Sequence, residues 1–296
     1  MKSGKFVVNA LKCFIKIDIK KRRPYYPPHT FREWINVPYV DDGDMHHAYD
    51  FYLANEENRK HVCLIDIHGG SYIIGDHQDN YPFAYEFLKR GYDVCLTDYV
   101  PNDGKRGTFD LVKDVIDNIF HLMKNKDKFD LAKDRFVIVG DSAGAHFALL
   151  IAELFKNKKA AKGLGLELPY IDISSVILIC PVYDYENLGK WNMTNSGLKR
   201  MLGPSYHDAE MRKKLSPNTY IESFNLPIFV STCKHDFIRE ESLHAYSDLK
   251  DRNNFVFVDI DSDSKKVRHV HNVTHPNLEE SIKVNDAIDQ FISKNL

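Results

Sequence analysis

The sequence has few cysteines, and their arrangement excludes two kinds of cysteine-based site. Five occur in 296 residues, an odd number, and no C-x-x-C spacing joins any two of them. Three lie inside apolar runs, at Cys63, Cys95 and Cys180. We therefore expect buried free thiols in a reducing compartment, with neither a disulfide framework nor a cysteine-rich zinc site.

The net charge is also close to zero, and long apolar runs are lacking. Lys+Arg 40 against Asp+Glu 42 leaves a formal net charge of −2, so the chain has no overall electrostatic attraction for nucleic acid. Lys12 and Lys16 interrupt the apolar N-terminal stretch, which is followed by no signal-type cleavage site and is far shorter than the roughly 20 residues that cross a bilayer. We expect a cytoplasmic protein without stable membrane insertion. The alternative for residues 1–23 is an amphipathic helix that touches an anionic membrane.

The sequence contains no internal repeats and no low-complexity tracts. It consists instead of apolar runs bounded by polar turns. An early pair of runs, 34–40 and 47–53, predicts a hairpin. The later runs are short and almost continuously apolar, which is typical of strands buried on both faces; they are 61–67, 93–99, 135–140, 175–180, 227–233 and 255–260. Helical spacing separates them over 80–90, 108–126, 143–157, 239–251 and 277–294. This alternation predicts an α/β fold with about eight mostly parallel strands and helices on both faces.

One stretch, 183–224, interrupts the alternation because it contains apolar side chains but no convincing strand. An insertion of this kind in an α/β chain is often a lid or cap. We expect a single domain over 1–296, with a small helical cap built from about 1–33 and 183–224. The candidate lining residues beneath that cap are Tyr72, Ile73, Trp191 and Met201.

The strongest local signal is the pentapeptide Gly140-Asp141-Ser142-Ala143-Gly144, which lies between a predicted strand and a predicted helix. A G-x-S-x-G nucleophile elbow requires this context, because its serine sits on a turn too sharp for bulky neighbours. Backbone N–H groups at the start of the helix also favour negative charge developing near Ser142. The alternative is an ordinary turn with Ser142 as a helix N-cap.

A second signal, His68-Gly69-Gly70-Ser71, follows the predicted strand 61–67. A glycine pair after a strand lets the backbone fold so that its N–H groups point at a ligand. The N–H groups of Gly70 and Ser71, together with that of Ala143, therefore form a candidate oxyanion hole. The alternative is an ordinary strand–helix turn.

These motifs occur in an order that resembles a known group of enzymes. HGGS at 68–71, DY at 98–99, GDSAGAH at 140–146, SVILICP at 175–181 and CKHDFIREESL at 233–243 are similar to the hormone-sensitive-lipase-like branch of the α/β-hydrolase superfamily, which contains carboxylesterases and acetyl esterases. The similarity runs from about residue 45 to the end of the chain. It implies an α/β-hydrolase fold and a serine carboxylesterase that needs no metal or organic cofactor.

The resemblance also implies the chain order nucleophile, acid, histidine. Asp236 matches the family's acid, and Asp259 and Asp261 are the alternatives. Three histidines crowd the loop before the last helix, where the family has an H-x-F pattern. The candidates are His269, His271 and His275. The pattern favours His269, with His271 in the position of the family's aromatic residue. Asp141 is expected to support the elbow, as His68 and Gly69 support the oxyanion loop.

Two departures from the family's pattern bear on the site. Ser71 stands where a third glycine is usual, so its Cβ narrows the space beside the scissile carbonyl. The usual D-Y-R-L-A-P reads D-Y-V-P-N-D at 98–103. We therefore expect hydrolysis of short-chain, acetyl-like esters through an acyl-enzyme, with Ser142, Asp236 and His269 as the triad.

Several alternatives to an esterase stay open at this point. The first is an amidase or arylformamidase that uses the same triad on an amide. Others are a binding protein on a hydrolase scaffold and a membrane-associated lipase. A metal site in H-x-H-x-x-x-H at 269–275 lacks supporting carboxylate or cysteine spacing. The expected partner is a small-molecule ester; the oligomeric state, a homo-oligomer included, is not decided by the sequence.

Overall fold

A computed structural model describes residues 26–131, 135–190 and 195–296, together with residues 9, 13, 16, 17 and 20. Within these residues one sheet of eight strands has the order β1-β2-β4-β3-β5-β6-β7-β8. The strands are β1 (Arg32–Pro38), β2 (Ala48–Leu53), β3 (Val62–Ile67), β4 (Asp93–Thr97), β5 (Arg135–Asp141), β6 (Ile173–Ile179), β7 (Ile228–Cys233) and β8 (Phe255–Ile260). β2 runs antiparallel to β1 and β4, and the other neighbouring pairs are parallel.

Helices connect most of these strands. They are α1 (Tyr81–Lys89), α2 (Thr108–Lys124), α3 (Ala143–Lys156), α4 (Lys158–Gly163), α5 (Asn195–Leu202), α6 (Ala209–Lys214), α7 (Arg239–Leu249), α8 (His271–Thr274) and α9 (Glu279–Lys294). None of the helices in the described ranges is long and apolar enough to cross a membrane. The predicted α/β architecture with a mostly parallel sheet is confirmed.

The core lies on both faces of the sheet, because successive strand residues point to opposite sides. Ile65 and Ile138 belong to the cluster that packs against α2 and α3. Leu64 and Val137, their neighbours in sequence, belong to the cluster that packs against α1 and α9. Each such buried aliphatic side chain contributes about 1.5–3 kcal/mol to folding. This two-sided burial explains why the central strands are almost continuously apolar.

Strand order positions the functional loops. β3 lies between β4 and β5, so the chain leaves β3 toward one side of the sheet and leaves β5 toward the other. Ligands of open α/β sheets bind in the crevice at such a switch point, at the carboxyl ends of the strands. The 68–71 loop follows β3, and Ser142 follows β5. The two strongest sequence motifs therefore meet at the carboxyl ends of two neighbouring central strands.

In the segment 183–224, the residues that the structure describes (183–190 and 195–224) form α5, α6 and several short 3₁₀ turns and no strand. It is tied to the body of the domain by buried polar contacts. The Asn102 side chain donates to the Met201 carbonyl at 3.0 Å, and His146 Nε2 donates to the Leu215 carbonyl at 2.7 Å. The role of this segment as a cap stays a prediction, and most of residues 1–31 lie outside the described part of the chain.

Three of the four residues expected to line a pocket under the cap are fully or almost fully buried. Tyr72, Ile73 and Met201 are buried in the same core cluster as the central strands. The Tyr72 hydroxyl donates to His146 Nδ1 at 3.1 Å, so that side chain points into the core. Trp191 lies outside the described residues. At its start, β1 takes in Arg32 and Glu33, which were expected in the cap.

Candidate active site

Ser142 occupies a sharp, strained turn between β5 and α3. Its φ of 54° and ψ of −117° lie in a region that non-glycine residues rarely adopt. Its backbone N–H donates to the Ile179 carbonyl at 2.9 Å, which holds the turn against β6. The flanking glycines are required by close approach, because a Cβ on Gly140 would lie 2.3 Å from the Gly144 carbonyl oxygen. A Cβ on Gly144 would lie 1.9 Å from the Ile67 carbonyl oxygen.

The turn aims the serine side chain at one of the three candidate histidines. His269 Nε2 lies 2.9 Å from Ser142 Oγ. His269 Nδ1 lies 2.7 Å from Asp236 Oδ1. Residues that are 127 and 33 positions apart in sequence are thus joined in one hydrogen-bonded chain. The His269 side chain is 15% exposed, whereas the Asp236 side chain is fully buried.

Asp236 is held as an ionised acceptor. Burial raises its pKa, but the hydrogen bond and the charge of His269 more than offset this, and the pKa lies below its ordinary value. The Ile238 N–H donates to Oδ1 and the Thr232 hydroxyl donates to Oδ2, each at 3.0 Å. The buried Cys180 sulfur lies within 4.8 Å of the carboxylate. A carboxylate with these donors fixes the orientation of the imidazole.

The other two candidate histidines have different environments. His271 is buried, its Nδ1 lies 2.8 Å from Ser281 Oγ in α9, and burial lowers its pKa to about 4. His275 Nδ1 lies 2.9 Å from Thr274 Oγ1. Neither contact involves the serine or the acid. The structure therefore brings only the first of the three histidines to Ser142.

The alternative acids also lie elsewhere. Asp259 forms an ion pair with the guanidinium of Arg239. Asp261 pairs with Lys234 at 3.3 Å, and its side chain is exposed. Both carboxylates are thus engaged with basic partners of the surface.

The loop after β3 packs directly against the elbow. A Cβ on Gly69 would lie 3.1 Å from the Ser142 Cβ, so the two backbones are in contact. Gly70, Ser71 and Tyr72 all have positive φ angles, of 121°, 53° and 65°. Within the described residues, no protein acceptor takes the N–H groups of Gly70 and Ser71. The N–H of Ala143 lies in the first turn of α3, where no intrahelical acceptor exists.

A histidine beneath this loop holds it in place. His68 Nδ1 lies 2.6 Å from the Gly69 carbonyl oxygen and Nε2 lies 3.0 Å from Asp98 Oδ1, so both nitrogens must donate. Burial opposes the imidazolium, but Asp98 more than offsets it and raises the pKa of His68 to about 9. The Tyr99 ring stacks on His68 at 4.3 Å, and its hydroxyl donates to the His68 carbonyl at 3.1 Å.

Most of the chain matches a known protein family. Residues 49–242 match the model of the family called BD-FAE. The chain belongs to the BD-FAE family. Among curated proteins, the probable isoprenylcysteine alpha-carbonyl methylesterase ICMEL2 of Arabidopsis thaliana is 24% identical over 199 residues, 66% of this chain. The chain spans 46% of the length of that relative.

Solved structures share the fold of this BD-FAE member. Esterase B from Lactobacillus rhamnosis, inhibited by a C4-C4 SN3 tributyrin phosphonate, has a TM-score of 0.85 at 21% identity; the match covers 99% of this chain and 96% of that chain. A bacterial heroin esterase has a TM-score of 0.65 at 18% identity, over 90% of this chain and 84% of that one. With the family match, these structures confirm the resemblance to hormone-sensitive-lipase-like α/β-hydrolases.

Two polar residues that support the site were not found by sequence reasoning. Asn80 Nδ2 donates to Asp66 Oδ1 at 3.1 Å and to Asp141 Oδ1 at 2.8 Å, and Asp141 Oδ1 also accepts the Gly69 N–H at 2.9 Å. Burial, and next the charge of Asp141, raise the pKa of Asp66 to about 8. The available signal was an acidic residue inside the apolar run 61–67, which is unusual unless it is partnered.

Two of the candidate site residues, with Cys180, also form the one potential metal-binding cluster within the described ranges. Ligand atoms of Cys180, Asp236 and His269 lie within 4.8 Å of one another. Burial raises the pKa of the Cys180 thiol well above its usual value, and a protonated thiol is a poor ligand. His269 has its two nitrogens directed at Asp236 and Ser142. These residues do not fit a metal site.

Proposed function

We propose that this BD-FAE member is a serine carboxylic ester hydrolase. The observation that carries the proposal is the hydrogen-bonded chain from Ser142 Oγ to His269 Nε2 at 2.9 Å and from His269 Nδ1 to Asp236 Oδ1 at 2.7 Å. This is the geometry of an activated nucleophile, with the base in reach of the serine and a third group orienting the base. The names of the similar proteins, which are esterases, support the same conclusion.

In the proposed mechanism, Ser142 Oγ attacks the ester carbonyl carbon while His269 Nε2 takes the hydroxyl proton. Asp236 stabilises the imidazolium that forms and keeps the Nδ1 proton in place. The tetrahedral intermediate collapses, the C–O bond to the alcohol breaks, and His269 returns the proton to the leaving oxygen. Water then attacks the acyl carbon while His269 takes its proton, the bond to Ser142 Oγ breaks, and His269 returns the proton to Ser142 Oγ as the carboxylic acid leaves.

The negative charge on the former carbonyl oxygen requires preorganised donors. The N–H groups of Gly70, Ser71 and Ala143 are the proposed oxyanion hole. Each such donor is typically worth about 3 kcal/mol of barrier, since the donors are already oriented when charge develops. The contacts of His68 and Asp141 with the Gly69 backbone support this role, because they fix the loop before substrate binds.

We propose short acyl groups, acetyl to butyryl, as substrates. The Cβ of Ser71, a half-buried residue on the oxyanion loop, takes space beside the scissile carbonyl. The structurally similar esterase B is inhibited by C4-C4 and C6-C4 compounds, which supports acyl groups of a few carbon atoms. Faster turnover of a ten-carbon ester than of an acetate ester would contradict this preference.

We further propose that the substrate is a small-molecule ester and that the protein is located in the cytoplasm.

A panel of substrates tests the reaction class. The purified chain should hydrolyse p-nitrophenyl acetate and butyrate much faster than p-nitrophenyl decanoate, and should leave p-nitroacetanilide almost untouched. The Ser142→Ala variant is the control. It should be inactive, and its circular dichroism spectrum should show that it is folded like the wild type. Faster turnover of the anilide, or of N-formylaniline, would instead establish the amidase or arylformamidase alternative.

A further inference from the structure

Phe237 is a large apolar residue that the proposed mechanism does not use, although it lies beside the reacting groups. Phe237 follows Asp236 directly in the sequence and is 75% exposed. Its ring centroid lies 4.4 Å from that of His269, with an angle of 52° between the planes. A single exposed apolar residue is ordinary on a protein surface. Contact with the histidine of the active site is what distinguishes this one.

The backbone around Phe237 is held in a fixed position. The Ile238 N–H donates to Asp236 Oδ1 at 3.0 Å, and the Arg239 N–H donates to the Asp236 carbonyl at 3.2 Å. The turn that presents the acid to His269 therefore also presents the phenyl ring. The phenyl ring contacts the imidazole at a tilted angle, and most of its surface is open to solvent beside His269.

The chemistry of the reaction decides which part of a substrate meets this ring. His269 Nε2 must come within about 3 Å of the leaving oxygen to return the proton. The alcohol portion of the ester is therefore the portion nearest to the imidazole. The Phe237 ring centroid lies 4.4 Å from that of the imidazole, so an alcohol portion seated beside His269 would be close enough to pack on the phenyl ring.

We propose that Phe237 is a specificity-determining residue that selects esters whose alcohol portion is apolar and planar, such as benzyl and phenyl esters. This inference rests on the proposed function and names the leaving-group class of the same site. An aromatic alcohol would stack edge-to-face or offset on the exposed ring, in the arrangement that aromatic pairs favour. A small aliphatic alcohol such as methanol would leave the ring in water.

A structural role for Phe237 makes a different prediction. A ring that only shields the His269–Asp236 hydrogen bond from water would affect all esters equally, because the same proton transfers occur with each. A specificity role changes the ratio of kcat/KM values between alcohols. Methyl acetate and benzyl acetate separate the two roles, since the acyl group is the same and the two alcohols have nearly the same acidity.

The experiment measures kcat/KM for both acetates with four proteins. In Phe237→Ala the benzyl-to-methyl ratio should fall about two- to tenfold, the value of one aromatic pair. Phe237→Tyr retains a ring and should retain the ratio. Tyr170→Ala is the matched control. Tyr170 is an exposed aromatic residue that precedes β6, at the amino ends of the parallel strands and so at the end of the sheet away from Ser142.

The outcomes separate this inference from the proposed function. A wild-type protein that turns over neither acetate, and no p-nitrophenyl ester, would overturn both. Turnover with an unchanged ratio in Phe237→Ala, or an equal loss for both acetates, would overturn only the specificity role. A fall in the ratio that also occurs in Tyr170→Ala would mean that the effect is not specific to the mouth of the site, and would likewise overturn it.

Discussion

The replacement Asp236→Asn tests how the acid works, because its neighbours dictate which way an amide would turn. Oδ1 accepts from His269 Nδ1 at 2.7 Å and from the Ile238 N–H at 3.0 Å, and Oδ2 accepts from the Thr232 hydroxyl. The Ile238 N–H can only donate, whereas a hydroxyl can donate or accept. The asparagine should therefore keep its oxygen toward the histidine and turn its NH₂ toward Thr232.

In that orientation the histidine keeps its tautomer and loses only the adjacent negative charge. A hydrogen bond to a charged group is worth about 1.5–3 kcal/mol and a neutral one about 0.5–1.5 kcal/mol. The difference, about 1–1.5 kcal/mol, corresponds to a loss in kcat of about five- to tenfold. This is far less than the roughly 10⁴-fold loss that follows when an amide forces the wrong tautomer. Asp236→Ala, which provides no acceptor, should lose more activity than Asp236→Asn.

The assay is steady-state hydrolysis of p-nitrophenyl acetate by both variants, with thermal unfolding as a check of the fold. The alanine variant should also be less stable, since it leaves the buried Thr232 hydroxyl and the Ile238 N–H without an acceptor; each costs about 1–3 kcal/mol. A 10⁴-fold loss in Asp236→Asn, equal to that of Asp236→Ala, would refute the argument about amide orientation. Wild-type activity in either variant would refute the role of Asp236.

His269→Ala should lose nearly all esterase activity and His275→Ala nearly none; the reverse result would reject the assignment of the base. Gly144→Ala places a Cβ 1.9 Å from a backbone carbonyl oxygen and should lower both Tm and activity, whereas Gly163→Ala, with nothing within 4 Å, should leave both almost unchanged. Because the pKa of His68 is raised to about 9 in the folded state, its stabilising contribution is complete below about pH 6.5 and is lost as the pH rises through 9. The Tm measured between pH 6 and 9.5 should fall, and should fall less in His68→Gln; equal slopes would contradict this.

The sequence predicted the fold well where one physical cause dominates. Strands buried on both faces are almost continuously apolar, so the central runs could be identified directly, whereas their order in the sheet was not predicted. β1 was less well placed because it is a half-exposed edge strand. It begins at Arg32, and its pairing with β2 shifts between Trp34 and Val37, where Asn36 has a φ of 50°. A local bulge of this kind has no apolar pattern to mark it.

The parts of the site differ in how far sequence could identify them. Ser142 is recognisable from its own pentapeptide, because the elbow is a local structure. Asp236 and His269 could be assigned only through the family's chain order, since residues distant in sequence meet by tertiary packing. The network of Asp66 and Asn80 was not found, because no local pattern shows that a polar residue in a strand will meet Asp141.

The central claim is that Ser142 is a nucleophile activated by His269, and covalent labelling tests it without assuming any substrate. The wild-type chain treated with diisopropyl fluorophosphate should gain one adduct, located on Ser142 by peptide mass spectrometry. Labelling should be absent in Ser142→Ala and at least a hundredfold slower in His269→Ala, because removing the base leaves the serine hydroxyl unactivated. An adduct on another residue, or equal labelling rates in the wild type and His269→Ala, would contradict the account.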